Sequence, residues 1–225
     1  MRNMILKKNI SIILLILFLP IMLLLCSCSA EKNRETVIKS DDVALLTIFT
    51  FDGKKESTLG LMNLGHSFLS IENISGDEIS VGKKEISVGE TIAIGTWSIQ
   101  AHFGVWYNVE SNYIADYNKY DGRLSITTGI SLDDLDKISA FIDTHDYWNP
   151  LQNCSYFALN LWNEVVEPSE QLDRLFIYSP SGIASQLRNF VSVEENRELV
   201  TEQKFHYYDH STPVYYELED NYVSV

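Results

Sequence analysis

The chain has 225 residues, 45% of them hydrophobic and 12% aromatic, a composition that excludes a disordered polymer and suits one domain with a sizeable core. Lysines and arginines number 17 against 31 aspartates and glutamates, a formal net charge of −14 at pH 7. A surface this acidic excludes binding of nucleic acid or anionic lipid through basic patches.

In chain order the first feature is Arg2, Lys7 and Lys8 ahead of an apolar run from Ile10 to Leu25, broken only by Ser11 and Pro20. A charged stretch followed by such a run is the pattern of a secretory signal. The run falls short of the ~20 apolar residues that a helix needs to cross the hydrocarbon core, and Pro20 lies inside it, so a cleaved signal fits better than a permanent span. Either arrangement puts the rest of the chain outside the cytoplasm. The run ends in Leu25-Cys26-Ser27-Cys28, which resembles the lipobox of bacterial lipoproteins. The resemblance implies cleavage before Cys28 and acylation of that cysteine, for instance with palmitate. Residues 1–27 are then a signal peptide, residues 28–42 a polar tether beginning Ser29-Ala30-Glu31-Lys32, and residues 43–225 a single domain. The expected location is the extracytoplasmic face of a bacterial membrane, with the membrane as partner through the N-terminal lipid.

Val43–Phe51 is rich in β-branched and aromatic residues and predicts a buried strand, with Asp52-Gly53 as a turn. Gly65–Ile71 alternates His66, Phe68 and Ser70 with Ser67, Leu69 and Ile71. Short strands are expected at Ile79–Val81, Thr91–Thr96 and Val105–Val109. From Ser131 the period becomes helical: Ser131 is a good N-cap, Asp133, Asp134 and Asp136 suit the positive end, and Leu132, Leu135, Ile138, Phe141 and Ile142 recur at helical spacing. A second helix is expected from Asn153, just past Pro150, with Phe157, Ala158, Leu161 and Val165 as its buried stripe. Ser181 is expected to cap a third, short helix, and His206–Leu218 to add an edge strand. The pattern as a whole is α+β, an antiparallel sheet packed against a few helices.

With Cys26 removed and Cys28 acylated, Cys154 is the one thiol left, either packed as a small apolar residue or kept because it reacts. The thiolate is the reactive form, and both a helix N-terminus and a protonated imidazole stabilise it. Cys154 falls at an expected helix start, and His66 sits on a strand between the small residues Gly65 and Ser67. His102, His145, His206 and His210 read as surface or packing residues. No HExxH or Cys/His cluster is present, so neither metal nor cofactor is expected. The aromatic residues Trp97, Phe103, Trp106 and Tyr107 read as core, with a substrate cleft as the alternative.

Gly65-His66-Ser67-Phe68 on a strand, followed far downstream by Asn153-Cys154-Ser155-Tyr156-Phe157 at a helix start, resembles the circularly permuted branch of the NlpC/P60 papain-like superfamily. The resemblance covers about residues 43–166. It implies a papain-like fold, Cys154 as nucleophile, His66 as general base and acid, and an acyl-enzyme cycle on an amide, ester or thioester. It also implies a third, polar residue that orients the imidazole. Thr96 and Ser80 are the candidates on neighbouring strands, with His102 and Asn108 further away. The Cys154 amide would serve the oxyanion, and Asn153 either assists it or caps the helix. The leading expectation is thus a lipid-anchored thiol hydrolase, an amidase or peptidase acting on a substrate such as peptidoglycan. The alternatives are cleavage or transfer of lipid acyl esters, and an inactive scaffold that only binds.

Overall fold

The computed structural model describes residues 34–53, 65–201 and 204–216. The apolar run Ile10–Leu25 and Cys28 lie outside them. Among the described residues no helix is long and apolar enough to cross a membrane.

Strand β1 (Ala44–Phe51) is buried on both sides: Ala44, Leu46 and Ile48 face one way, Phe49 and Phe51 the other. A strand apolar on both faces belongs in the middle of a covered sheet. It pairs antiparallel with β2 (His66–Asn73) in the register Phe51↔His66 to Ala44↔Asn73, and on its other edge with β7 (Leu124–Ile130). Further strands are β5 (Thr91–Ile99), β6 (His102–Tyr107), β8 (Glu194–Glu195), β9 (His206–Asp209) and β10 (Thr212–Tyr215). The described residues form an eight-stranded antiparallel sheet in the order β10-β9-β6-β5-β2-β1-β7-β8, and a separate hairpin, β3 (Ile79–Val81) with β4 (Lys84–Ile86). The fold is therefore α+β around a large antiparallel sheet.

The β2–β5 ladder extends only from Glu72↔Thr91 to Leu69↔Ile94, after which β5 continues against β6 alone. His66–Phe68 and the second half of β5 are thus released from each other at one end of the sheet. The site is built there.

Four helices complete the described fold. Helix α1 (Val109–Tyr117) follows β6 directly; α2 (Leu132–Thr144), α3 (Cys154–Val165) and α4 (Pro180–Leu187) come after β7. The last three pack on the face carrying Leu46, Ile48, Leu69, Ile71, Ile92 and Ile94, and Phe157, Leu161 and Trp162 of α3 are sealed among them. The opposite face carries Phe49, Phe68 and Ala93 under Leu199, beside a second aromatic cluster of Trp106, Tyr113 and Phe205.

Local chemistry explains the helix ends. Ser131 caps α2 in a reciprocal capping box with Asp134, though Leu132 is turned to solvent. Asn153 caps α3 through Oδ1, which accepts from the N–H groups of Ser155 and Tyr156. The cap of α4 is Ser179, which accepts from the Gly182 N–H, and not the expected Ser181; Pro180, lacking an N–H, takes the first helical position. The expected strand Val105–Val109 ends two residues early, because Asn108 turns left-handed at φ 63° and starts α1.

The stretch expected as a tether lies against the body from Arg34 onward. Arg34 bridges Phe190 in parallel, Val191 N–H donates to Arg34 O at 2.9 Å, and Val37 N–H donates to Glu170 Oε1 at 2.8 Å.

Candidate active site

Gly65 holds φ at +74°, and a Cβ there would strike the Phe51 carbonyl, so the chain entering β2 requires glycine. His66 follows, 6% exposed. Its Nε2 stands 2.8 Å from Oε1 of Glu110, a carboxylate wholly sealed from solvent. The same Oε1 accepts the indole N–H of Trp97 at 2.8 Å, and the Trp97 ring lies over the imidazole with centroids 4.2 Å apart.

Glu110 reaches this position through two local devices. Asn108 is fully buried and mimics a strand partner: its N–H donates to Ala93 O and its Oδ1 accepts from Ala93 N–H, both at 2.9 Å. That clamp turns the chain from β6 into α1 and places Glu110 in the first helical turn, where the helix dipole favours an anion. The second device is Gly95, whose absent side chain leaves the space the Glu110 carboxylate fills.

Cys154 opens α3 and is half-buried. Burial disfavours its thiolate, yet the neighbouring His66 imidazolium and the Ser67 backbone N–H outweigh that penalty and hold the thiol below its ordinary value. Burial likewise opposes protonation of His66, but the Cys154 sulfur and the Glu110 carboxylate prevail and push it up to about 9. The structure thus brings His66 and Cys154 within hydrogen-bonding reach of each other, with a carboxylate on the imidazole's other nitrogen. Tyr120, its ring 5.7 Å from that of His66, is kept neutral by burial and then by the nearby Glu110 charge.

A chain of buried hydroxyls supports the thiol from beneath. Ser155 Oγ is 3.2 Å from Ser67 Oγ, Ser67 Oγ is 2.9 Å from Thr50 Oγ1, and Thr50 donates to Pro180 O at 3.0 Å. Thr50 has a single proton, given to Pro180, so Ser67 donates to Thr50 and Ser155 to Ser67.

The other expected site residues stand elsewhere. Thr96 projects to the opposite face of β5 from Trp97, buried and without a hydrogen-bond partner for Oγ1 among the described residues. Ser80 lies on the separate β3–β4 hairpin and donates to Glu85 Oε2 at 2.6 Å. His102 pairs with Asp146 Oδ1 at 2.7 Å and stacks on Tyr207, tying the β5–β6 turn to the segment after α2. Asn153 acts as the helix cap, and its Nδ2 donates to Tyr178 O at 3.0 Å, with Pro150 O at 3.5 Å. Trp106 and Tyr107 are core, Phe103 is exposed, and only Trp97 of that group touches the site. Among the described residues no group of three or more His, Cys, Asp or Glu side chains is arranged to hold a metal ion.

Glu110 is the site residue absent from the sequence motifs, while Trp97 stands at the site, the cleft alternative for its aromatic group. The sole sequence signal for Glu110 is an acidic residue directly after the expected strand Val105–Val109. No protein-family model, curated protein or solved structure matches the chain.

Proposed function

We propose that the chain is a thiol hydrolase of papain-like type, held at the outer face of a membrane through acylated Cys28, with Cys154 as nucleophile and His66 as its acid–base partner. The observation that carries this reading is the sealed Glu110–His66 contact beside a half-buried thiol at a helix N-terminus. A buried carboxylate facing a buried imidazole has a clear use when the imidazole must carry positive charge next to sulfur.

The cycle follows from the protons. The Cys154 thiolate adds to the carbonyl carbon of an acyl substrate, and the developing oxyanion meets the backbone donors at the start of α3. His66, its Nε2 committed to Glu110, delivers the proton from Nδ1 to the leaving amine or alcohol as the C–N or C–O bond breaks. A water then gives its proton back to Nδ1 while its oxygen adds to the thioester carbonyl, and cleavage of the C–S bond frees the acid. Glu110 touches neither reactant; it is a positioning residue that keeps the imidazolium in place. An amide such as a cell-wall peptide bond is the first substrate class, since His66 can protonate a poor amine leaving group. Cleavage or transfer of a lipid acyl ester is the second reading, favoured by the exposed Leu151, Phe176 and Ile177 near the site. The sealed Glu110–His66 contact supports an enzyme over an inactive scaffold, which has no use for a buried carboxylate facing the imidazole.

The test is to trap the intermediate. Incubation with purified peptidoglycan, and separately with phospholipid esters, followed by intact-mass measurement, should show an acyl adduct on Cys154 that disappears in Cys154→Ala and in His66→Ala. No adduct with either substrate, together with alkylation of Cys154 following an ordinary thiol near pH 8.5, would refute the hydrolase.

A further inference from the structure

Phe176 is 101% exposed and Ile177 73%, in the loop between Leu172 and α4. They are not frayed ends. Leu175 on one side packs into the main core, and Tyr178 on the other accepts the Asn153 side-chain N–H through its carbonyl while its ring meets Tyr156 at 4.9 Å. The Asn153 clasp also joins this loop to the one before α3, where Leu151 is 83% exposed, three positions ahead of Cys154. Two large apolar side chains are thus held out into water on a braced loop beside the mouth of the site, with a third close by. Exposed apolar clusters of this kind mark surfaces that something covers.

What covers this one is indicated by the chain's own attachment. Arg34 is fixed at the far end of α4, against Asn189, Phe190 and Val191, and Val191 is itself 59% exposed. Only Ser29–Asn33 separate Cys28 from Arg34, a stretch that spans about 20 Å when fully extended. Helix α4 is about 12 Å long at its ordinary rise, so the Phe176 loop lies within reach of any bilayer that holds Cys28. Charge agrees. Leu172–Ser192 contains one carboxylate, Asp173, against Arg174 and Arg188, in a chain with 31 acidic residues.

We infer that Phe176 and Ile177, with Leu151 beside them and Val191 near the attachment point, form a docking surface that seats the body on a phospholipid bilayer with the mouth of the Cys154 site at the lipid surface. The inference rests on the reading of Cys28 as lipid-anchored and is independent of whether Cys154 is catalytic.

The full chain carrying Phe176→Trp, mixed with phosphatidylcholine vesicles whose acyl chains are brominated, tests it. The control is Val200→Trp, an exposed position over the opposite face of the sheet from α4. The expected result is co-sedimentation with the vesicles and loss of most of the emission added by the indole at position 176, while the indole at position 200 keeps its emission. A chain that sediments while the indole at position 176 stays as bright as the control overturns the docking surface and leaves the anchor standing. A chain that stays in the supernatant overturns both, and capture of Phe176 by a protein instead of lipid gives one of these two results.

Discussion

Glu110 Oε1 lies 2.8 Å from His66 Nε2, with the carboxylate fully sealed and the imidazole almost so, although the two residues stand 44 positions apart in the chain. Replacing Glu110 by Gln keeps the shape and the acceptor oxygen for both His66 and Trp97 but removes the charge. Without the carboxylate the imidazolium loses a stabilising neighbour, so the His66 transition moves to lower pH and that of Cys154 to higher pH. We expect kcat/KM to fall about 100-fold, the lower end of what a positioned acid–base group contributes, with both shifts visible in the pH dependence of iodoacetamide alkylation. Unchanged transitions in the variant would leave Glu110 a packing residue.

The wild-type profile has a definite sign. The reactive form pairs a thiolate with an imidazolium, so activity appears as pH rises through the lowered Cys154 value and disappears as it rises through about 9, where His66 loses its proton. kcat/KM should therefore be bell-shaped, with its acid limb below the ~8.5 of an ordinary thiol. The elevated imidazole also adds stability that is complete below its ordinary value of 6.5 and fades as pH passes about 9. A thermal melt of His66→Gln against wild type across that window should show the difference shrinking on the alkaline side. A single sigmoid rising through pH 8.5 would overturn the coupled pair.

Gly95→Ala should mimic Glu110→Gln for a steric reason. A methyl group there meets Glu110 Oε1 first, then Glu110 Cδ at 3.2 Å and Phe68 Cβ at 3.3 Å. The atoms in the way belong to the end of a side chain, so the carboxylate swings aside and the sheet holds. The expected outcome is a small loss of stability, at the lower end of the ~1–3 kcal/mol typical of overpacking, with a large loss of activity. The double variant Gly95→Ala/Glu110→Gln should be no worse in kcat/KM than either single change, because both remove one contact. Additive losses would mean that Gly95 serves something else.

The strands β1, β2 and β5 and the helices α2 and α3 are legible because their apolar residues keep a clean period of two or of three to four. Strand β7 is not, since Ser125, Thr127, Thr128 and Gly129 leave little apolar signal; its place is set by pairing with β1. Helix α1 is hidden for a related reason. The residues it buries are Val109, Glu110, Ser111 and Tyr113, and a buried carboxylate reads as a surface residue by hydropathy. The Cys154 and His66 motifs can be read because each is local, a helix start and a strand start. Glu110 cannot, because its role exists only once Asn108 has turned the chain and Gly95 has made room. Ser181 is the tempting cap for α4, but the proline before it moves the helix start back to Ser179.

The hydroxyl chain under Cys154 leads to a prediction whose sign is not obvious. While Thr50 donates to Pro180 O, Ser67 competes with the Cys154 sulfur for the Ser155 proton. Thr50→Val removes the acceptor that sustains this competition. Ser67 can then donate to Ser155, and Ser155 to the thiolate, whose charge makes it the better acceptor. The variant should therefore be less stable, by about 1 kcal/mol for the lost Thr50 hydrogen bonds, while its Cys154 thiol titrates at lower pH than in wild type. Urea denaturation measures the first effect and pH-dependent alkylation the second. Ser155→Ala should erase the shift when added to Thr50→Val without restoring stability. A thiol transition that moves up, or does not move, in Thr50→Val would show that the hydroxyl chain supports the fold alone and has no hold on the sulfur.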